Sequence, residues 1–325
     1  MAKVFGIGNA LVDIMTSLEN DNLLGTLNLP KGSMQLVDEA TINTALEKTK
    51  GLVQTLASGG SAANTINGLA NLGVETGFLG KVGDDKFGKF FHDDMVNAGI
   101  NPTLLKGKSA TGRALALVTP DSERTFAVNL GAAIEMVAGD ITKDLFKGYD
   151  YLHIEGYLVQ NHALIEKALK TAKSAGLIIS LDLASYNVVE SNFEFIRKMV
   201  KEYVDIVFAN EDESKAFTKK SPEESLHLLG DMVDIAIVKL GSKGSMIKRG
   251  SETHNIGVIK ANSIDTTGAG DLYASGFIYG LTKGFSLDAC GRIGSILSGR
   301  VIEVIGPKMD KEIWDNLRSL VNKIG

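Results

Sequence analysis

Short apolar runs alternate with helical patterns through most of the second half of the chain. Strands are predicted at 149–154, 177–181, 206–209 and 235–240, and helices at 161–174, 193–202, 211–217 and 222–230. A buried strand is also predicted at 3–8, and two apolar helices follow near 270–283 and 286–303. Regular alternation of strand and helix predicts a parallel sheet with helices on both faces. The expected fold class is therefore α/β, with a doubly wound, mostly parallel sheet.

Residues 74–130 have a different pattern, in which short strands with alternating faces surround one helix near 86–98. The strands are predicted at 74–82, 103–106, 113–119 and 125–129. The stretch before them, from about 16 to 37, is irregular and ends in a short strand. A small sheet inserted into an α/β pattern can cover a site as a lid. We therefore expect one domain over residues 1–325, with a lid built from two separate segments, about 12–37 and 76–130.

The composition narrows the partners that the chain can bind. Of the 325 residues 44% are hydrophobic, and the net charge of −5 comes from dispersed charges without a basic tract. Nucleic acid is therefore not an expected partner, and no apolar run approaches a membrane span. The single cysteine, Cys290, lies in an apolar segment and fits a buried thiol in a reducing compartment. These features favour a cytoplasmic protein that acts on small molecules, and they leave both a monomer and a homodimer open.

A glycine-rich turn at 265–270 leads directly into the apolar run 272–281, which predicts a buried helix. The amides of residues 268–270 would lie at the positive end of that helix, where an anion can bind. Asp271 follows them and could accept a proton from an attacking hydroxyl. The alternative is a capped turn whose aspartate only complements the helix dipole.

Polar residues follow the ends of several predicted strands. Glu155, Asp182, Asn210 and Gly241 all lie just past such ends, and Asp13 lies in the segment that follows the strand 3–8. In a doubly wound sheet these ends share one edge. The segment 210–213 adds three carboxylates and an amide at a helix start. Oxygen-rich groups of this kind suit Mg²⁺, although an acidic first helical turn would give the same pattern.

Several common chemistries lack their motifs. The five histidines are scattered without zinc spacing, and neither a G-x-S-x-G elbow nor a G-x-x-x-x-G-K-[ST] loop occurs. The remaining features are an anion-binding helix start, an adjacent carboxylate, a magnesium candidate, glycine turns and a lid. Phosphoryl transfer needs this combination, because positioning and charge neutralisation dominate its catalysis.

The chain resembles the ribokinase (PfkB) family of sugar and nucleoside kinases, in particular its adenosine-kinase-like branch. The most specific match is the segment Asp265-Thr-Thr-Gly-Ala-Gly-Asp271, and the second is Gly59-Gly-Ser-Ala-Ala-Asn64 with Gly80-Lys-Val-Gly-Asp-Asp85 downstream. The resemblance spans nearly the whole chain. It implies a ribokinase-like fold with a β-sheet lid, ATP with Mg²⁺ as cofactors, and a monovalent cation, K⁺, as a further ligand to consider.

The resemblance also implies roles for individual residues. In catalysis it implies Asp271 as the base, the amides of Gly268, Ala269 and Gly270 as the anion hole, and Arg124 as a lid arginine near the transferring phosphate. The residues implied for the acceptor are Leu11, Asp13, Gly59, Gly60, Asn64 and Glu155. Those implied for ATP are Asn210, Lys239, Gly241, Ser242 and Gly244. Asn210 and Glu213 would organise Mg²⁺ through water, and Asp265 would lie in a monovalent-cation loop.

The implied reaction is ATP-dependent phosphorylation of a primary hydroxyl, foremost the 5′-hydroxyl of adenosine or a related nucleoside. The Gly-Asn start at residues 8–9, the chain length and the Arg-Thr-Phe sequence at 124–126 favour the adenosine-kinase side. Glu155 and the loop with Gly59 and Gly60 fit a sugar kinase of the ribose or fructose type equally well. A non-catalytic sensor using the same cleft is a third hypothesis, against which the intact Asp271 argues.

Overall fold

The computed structural model describes residues 2–121 and 123–324, which form two β-sheets and the helices packed on them. The strands are β1 (Val4–Ile7), β2 (Leu11–Ser17), β3 (Met34–Leu36), β4 (Gln54–Gly59), β5 (Thr76–Val82), β6 (Ile100–Lys106), β7 (Gly112–Val118), β8 (Arg124–Asn129), β9 (Tyr151–Glu155), β10 (Ile178–Asp182), β11 (Ile206–Asn210), β12 (Ile235–Lys239), β13 (Ser245–Arg249) and β14 (Glu252–Ile256). The helices are α1 (Asn22–Thr26), α2 (Glu39–Lys48), α3 (Ser61–Asn71), α4 (Lys86–Asn97), α5 (His162–Ser174), α6 (Tyr186–Ser191), α7 (Phe193–Tyr203), α8 (Glu211–Thr218), α9 (Pro222–Gly230), α10 (Ala269–Thr282), α11 (Leu287–Val301) and α12 (Lys311–Val321).

The larger sheet has nine strands in the order β14-β13-β12-β11-β10-β9-β1-β5-β6. Neighbouring strands from β6 to β12 pair in parallel, and β13 and β14 add an antiparallel edge. Successive side chains of a strand point to opposite faces, so Phe78 and Leu79 of β5 enter different buried clusters. Helices cover both faces, and the predicted doubly wound α/β fold is confirmed.

The strand order reverses between β1 and β9. From β1 the sheet extends through β5 and β6 on one side and through β9 to β12 on the other. Ligands of such sheets bind at the carboxyl ends of the strands next to this reversal. Four neighbouring strands end there in a polar residue: Glu155, Asp182, Asn210 and Lys239. The predicted convergence of strand ends is therefore present.

The smaller sheet has five strands in the order β3-β8-β7-β2-β4. It takes its strands from residues 11–59 and 112–129, so the predicted lid boundary was wrong for residues 76–106. Those residues form β5, α4 and β6, and β5 pairs directly with β1 in the larger sheet. The buried side chains Phe78 and Val82 show why, because they belong to the main core.

Helix α10 is surrounded by protein on all sides of its central part. Residues 272–280 are buried, and glycines allow neighbouring helices to approach closely. A Cβ on Gly68 of α3 would lie 2.4 Å from Oγ of Ser275, and one on Gly276 would lie 2.7 Å from the carbonyl oxygen of Ile293 in α11. The first turn of α10 is thereby fixed at the sheet edge. Among the described residues no helix is both long and apolar enough to cross a membrane.

Candidate active site

The carboxylate of Asp271 lies in the first turn of α10 and is held by two side chains of α3. Ser61 donates its hydroxyl to Oδ1 at 2.7 Å, and Asn64 donates its amide to Oδ2 at 2.9 Å. The oxygen of the Asn64 side chain, Oδ1, is buried and has no hydrogen-bond partner within the described residues. The predicted pair Asp271 and Asn64 is therefore brought together, and Ser61 is a partner that the sequence did not reveal.

Asp271 is tuned to change its protonation state near neutral pH. Burial raises its pKa to about 6, although the hydrogen bonds from Asn64 and Ser61 oppose the shift. A carboxylate with such a pKa is ionised at pH 7 and accepts a proton more readily than an ordinary aspartate. Asp271 therefore has the properties of a general base.

The three residues ahead of Asp271 form the start of α10. Gly268 is the N-cap of α10 with a φ of 76°, a left-handed conformation that favours glycine. The first amides of a helix lack partners inside the helix. Ala269 differs from the expectation, because its N–H donates to the carbonyl oxygen of Thr266 at 3.2 Å. Of the three amides predicted to form an anion hole, those of Gly268 and Gly270 therefore remain the candidates.

An ammonium group lies beside this anion hole. Lys239, at the end of β12, donates to Oδ2 of Asp182 at the end of β10, with 2.8 Å between the atoms. A Cβ on Gly270 would lie only 3.1 Å from Nζ of Lys239. Burial would lower the pKa of Lys239, but the charges of Asp182 and Glu213 hold it above its ordinary value. A permanent positive charge thus stands at the start of α10. Asp182 was predicted only as a strand-end residue, and its ion pair with Lys239 was not foreseen.

Glu155 lies at the strand-order reversal and links Asn9, just after β1, to the first turn of α3. Its Oε1 accepts from the backbone and side-chain nitrogens of Asn9 at 2.9 and 2.6 Å, and its Oε2 accepts from the amide of Ala62 at 2.9 Å. Its side chain is 1% exposed, and burial raises its pKa to about 7. Because both oxygens are occupied by protein donors, Glu155 positions the start of α3 rather than facing a substrate in this conformation.

Asp13 and the two glycines at the end of β4, Gly59 and Gly60, belong to the predicted acceptor site. Leu11 and Asp13 point to the same face of β2. Burial raises the pKa of Asp13 to about 7, which the nearby ammonium of Lys308 opposes. Gly59 lies against the Asp13 carboxylate, and Gly60 has a φ of 99°. Sequence spacing gave no signal for Lys308, which is 295 residues away from Asp13 in the chain.

Asn210 and Glu213 form hydrogen bonds with each other. The backbone and side-chain nitrogens of Asn210 donate to the two oxygens of Glu213 at 2.8 and 2.7 Å, and the amide of Glu213 donates back at 2.8 Å. Burial, followed by the charge of Asp182, raises the pKa of Glu213 to about 7. Within the described residues no group of three or more His, Cys, Asp or Glu side chains could hold a metal. The pair therefore fits Mg²⁺ only through water, which suits an ion that keeps several waters.

The predicted nucleotide turn lies between β12 and β13. Gly241 and Gly244 have φ angles of 55° and 95°, and Ser242 between them is exposed. A Cβ on Gly244 would lie 1.9 Å from the carbonyl oxygen of Ile256, so only glycine fits. The side of this turn at Gly241 is open, which leaves space for a ligand to approach the backbone.

Arg124, the first residue of β8, contacts the loop before α10. Its guanidinium forms an ion pair with Asp265 and donates to Oγ1 of Thr267 at 3.3 Å and to the carbonyl oxygen of Ile264 at 3.2 Å. Asp265 also accepts from the amides of Thr267 and Gly306, each at 2.7 Å. A monovalent cation does not fit beside the Asp265 carboxylate in this arrangement, because the guanidinium occupies that place.

A large cavity opens between the two sheets next to these groups. Its volume is about 1050 Å³, and it reaches Gly60 and Ser61, whose hydroxyl is bonded to Asp271. The wall formed by the smaller sheet and the segment after it is apolar, and polar side chains lie across from it. The apolar residues include Leu11, Met34, Leu36, Ala114, Val128 and Ile134, and the polar ones include Asn9, Gln160, Asn161, Asn187 and Asn192.

Comparison with known proteins identifies the family of the chain. The pattern described as pfkB family carbohydrate kinase matches residues 34–313. The solved structure of an adenosine kinase from Sinorhizobium meliloti is similar, with 33% identity, a TM-score of 0.87 and coverage of 98% of this chain and 99% of that one. A probable sugar kinase from Rhizobium etli CFN 42 has 32% identity, a TM-score of 0.87 and coverage of 98% of both chains. A 5-dehydro-2-deoxygluconokinase from Bacillus subtilis (strain 168) is 28% identical over 260 residues, which are 75% of this chain and 80% of that protein.

Proposed function

The chain belongs to the PfkB family of carbohydrate kinases, and on that premise we propose that it transfers a phosphoryl group from ATP to the 5′-hydroxyl of adenosine or a closely related nucleoside. Kinases of this family phosphorylate hydroxyl groups, and the relatives described above include both nucleoside and sugar kinases. The choice of acceptor therefore depends on the cavity beside Asp271.

The observation that carries the proposal is the apolar wall of this cavity. Leu36, Val128, Ala114 and Asp13 are consecutive cross-strand partners on β3, β8, β7 and β2, so they share one face. Leu36 is 62% exposed on that face. A purine base can cover such a surface, whereas the hydroxyls of a free sugar would lose water there without gaining partners. Asp13 ends the row where a ribose hydroxyl would lie.

The residues of the site can divide the reaction between them. Asp271 would accept the proton of the 5′-hydroxyl while Ser61 and Asn64 hold its carboxylate in place. Lys239 and the amides of Gly268 and Gly270 would stabilise negative charge on the transferred group, the largest contribution in most phosphoryl transfers. Bound ATP with Mg²⁺ would supply the phosphoryl group, with Lys239 and the start of α10 as the parts that hold its phosphates.

A sugar or sugar-acid kinase is the second candidate. The curated relative from Bacillus subtilis bears the name of a sugar-acid kinase. Lys308 supports this candidate, because its ammonium lies near Asp13 and donates to Oγ of Ser58 at 3.0 Å. An acceptor with a carboxylate could meet that charge. Lys308 is balanced by Asp94 at 3.8 Å, however, so it offers less than a free positive charge.

The test is the release of ADP with a panel of acceptors. Adenosine, inosine, guanosine, ribose, fructose and 5-dehydro-2-deoxygluconate are compared with Mg²⁺ and ATP. We expect kcat/KM for adenosine to exceed the value for each sugar by at least ~10²-fold, as for a site built around a base. Faster turnover of a sugar would refute the nucleoside assignment, and absence of ADP release with every acceptor would favour the sensor hypothesis.

Two variants test whether the apolar wall binds the acceptor. Leu36→Asn should raise KM for adenosine by about tenfold, since burying a leucine contributes about 1.5–3 kcal/mol, and should leave ribose turnover unchanged. Leu320→Asn is the control, because Leu320 is also exposed (41%) but lies on α12, outside the cavity lining. Equal effects of both variants would show that the wall does not bind the acceptor.

A further inference from the structure

The negative charge of Asp265 is neutralised by a residue of the smaller sheet. Asp265 is 1% exposed, and a buried carboxylate needs a counter-charge together with hydrogen bonds. The amides of Thr267 and Gly306 supply hydrogen bonds to its two oxygens. The counter-charge comes from Arg124 of β8, which lies 141 positions away in sequence. The charge of this loop is thus balanced across the boundary between the two sheets.

The oxygens that Arg124 contacts resemble the ligand set of a hard cation. The guanidinium meets a carboxylate of Asp265, a hydroxyl of Thr267 and the backbone carbonyl of Ile264. Carboxylate, hydroxyl and carbonyl oxygens are the ligands that hard metal ions select in proteins, and here one guanidinium contacts all three kinds. An arginine placed there satisfies the same oxygens with fixed N–H donors and cannot lose its charge.

We propose that Arg124 is a built-in counter-cation of the 264–267 loop, so that the folded protein does not bind K⁺ there and does not require it. The loop would accept K⁺ only when Arg124 is absent or the smaller sheet has moved away. The same contact anchors β8 to the segment that leads into Gly268 and the start of α10. The position of the smaller sheet is thereby coupled to the anion hole, whichever acceptor is used.

The proposal is tested by the thermal unfolding of the purified protein without substrates. Unfolding is followed in KCl and in tetramethylammonium chloride at the same ionic strength, roughly 0.1 M, so that screening is equal. A ligand that binds only the folded state raises Tm. We expect the wild-type Tm to agree between the salts within about 1 °C, and that of Arg124→Ala to be higher in KCl by about 2 °C or more.

Three further variants identify the source of the response. The double variant Arg124→Ala/Asp265→Asn should lose the response to KCl, because the carboxylate that would bind the ion is gone. Arg292→Ala is the control, since it removes an exposed arginine paired to Asp288 at 2.9 Å on α11. If Arg124→Ala does not fold, Arg124→Gln makes the same comparison with a side chain of similar length.

Each outcome decides the question. A wild-type protein that is stabilised by KCl would overturn the proposal, because the loop would then bind the ion with Arg124 present. An Arg124→Ala variant with the same Tm in both salts would also overturn it, since the oxygens would not form a cation site. A response that persists in the double variant would place the ion elsewhere. Turnover of Arg124→Ala should rise in KCl in parallel with its Tm.

Discussion

Gly59 has no room for a side chain, because the carboxylate of Asp13 fills the space where a methyl group would lie. A Cβ built on Gly59 would lie 2.2 Å from Oδ2 of Asp13 and 2.3 Å from its other carboxylate atoms. Gly59 is at the end of β4 and pairs with Leu11, so its backbone is fixed by the sheet. In Gly59→Ala the Asp13 carboxylate must therefore move, while the fold around it stays in place.

The size of the effect follows from this displacement. Ordinary van der Waals contact begins near 3.4 Å, so the carboxylate would have to retreat by about 1 Å. A misplacement of about 1 Å in a group that positions a substrate can cost roughly 10²-fold in rate, equivalent to ~2.7 kcal/mol. We expect Gly59→Ala to lower kcat/KM for the acceptor by about this factor and to leave KM for ATP nearly unchanged.

A double-mutant cycle with Asp13→Ala shows whether the effect passes through the carboxylate. Turnover is measured as ADP release for Gly59→Ala, Asp13→Ala and the double variant. If the methyl group acts by displacing Asp13, it should cost nothing in the Asp13→Ala background, which gives a coupling energy near the full effect. Gly25→Ala is the control, since Gly25 lies in α1 and a Cβ placed on it would have nothing within 4 Å.

Two results would refute this reasoning. Unchanged kcat/KM in Gly59→Ala would mean that Asp13 can move without consequence and does not hold the acceptor. An equal loss in the presence and absence of the Asp13 carboxylate would mean that the methyl group acts on the loop itself. A Tm of Gly59→Ala close to that of Gly25→Ala excludes general destabilisation as the cause of lost activity.

Three further predictions concern the charged groups of the site. Asp271→Asn should lower turnover by ~10²–10⁴-fold with nucleotide binding intact. In the wild type the pKa of Asp271 is raised to about 6, so kcat/KM for the acceptor should fall as the pH drops through 6, because the protonated carboxyl cannot accept a proton. A pH profile that stays flat down to pH 5 would contradict the assignment of Asp271 as the base. Lys239→Met should raise KM for ATP. Because it leaves the buried Asp182 without its partner, it should also lower the free energy of unfolding, measured by denaturant titration, by about 3–5 kcal/mol. The double variant Lys239→Met/Asp182→Asn should recover part of this loss. Glu213→Gln places an amide donor against the nitrogen donors of Asn210, so it should lower the free energy of unfolding by about 1–3 kcal/mol. It should also raise the Mg²⁺ concentration needed for half-maximal activity. A loss of stability with an unchanged Mg²⁺ titration would show that the pair only caps α8.

The parts of the site that were predicted from sequence depend on local structure. The turn at 265–270 and the helix start at Asp271 are set by neighbouring residues, so glycines and a following apolar run were sufficient to locate them. The convergence of Glu155, Asp182 and Asn210 follows from strand–helix alternation, because parallel strands end at one edge. These features can be predicted without knowing which distant segments of the chain pack together.

The parts that were missed depend on contacts between distant segments. Ser61 and Asp271 are 210 residues apart, and no spacing rule brings a serine hydroxyl to an aspartate across that distance. Strand β4 was also missed, because its end is a run of small residues that fits a loop as well as a strand. Its pairing with β2, which buries Val12 and Ile14 on one face, makes it a strand. Tertiary contacts decide such segments more than intrinsic preference does.

The glycines of this site mark the positions of buried charges. A Cβ on Gly8 would lie 2.4 Å from Oε2 of Glu155, and one on Gly59 would lie 2.2 Å from Oδ2 of Asp13, while Gly270 leaves room for a lysine ammonium. Neither Gly8 nor Gly59 has a positive φ, so backbone conformation does not explain them. A missing side chain lets a carboxylate reach backbone amides, as the contacts of Glu155 show, and hydrogen bonds from amides are what make a buried charge tolerable. The missing side chain of Gly8 therefore indicates that the protein itself holds the Glu155 carboxylate, whereas the Asp13 carboxylate beside Gly59 is the one that we propose to meet the acceptor.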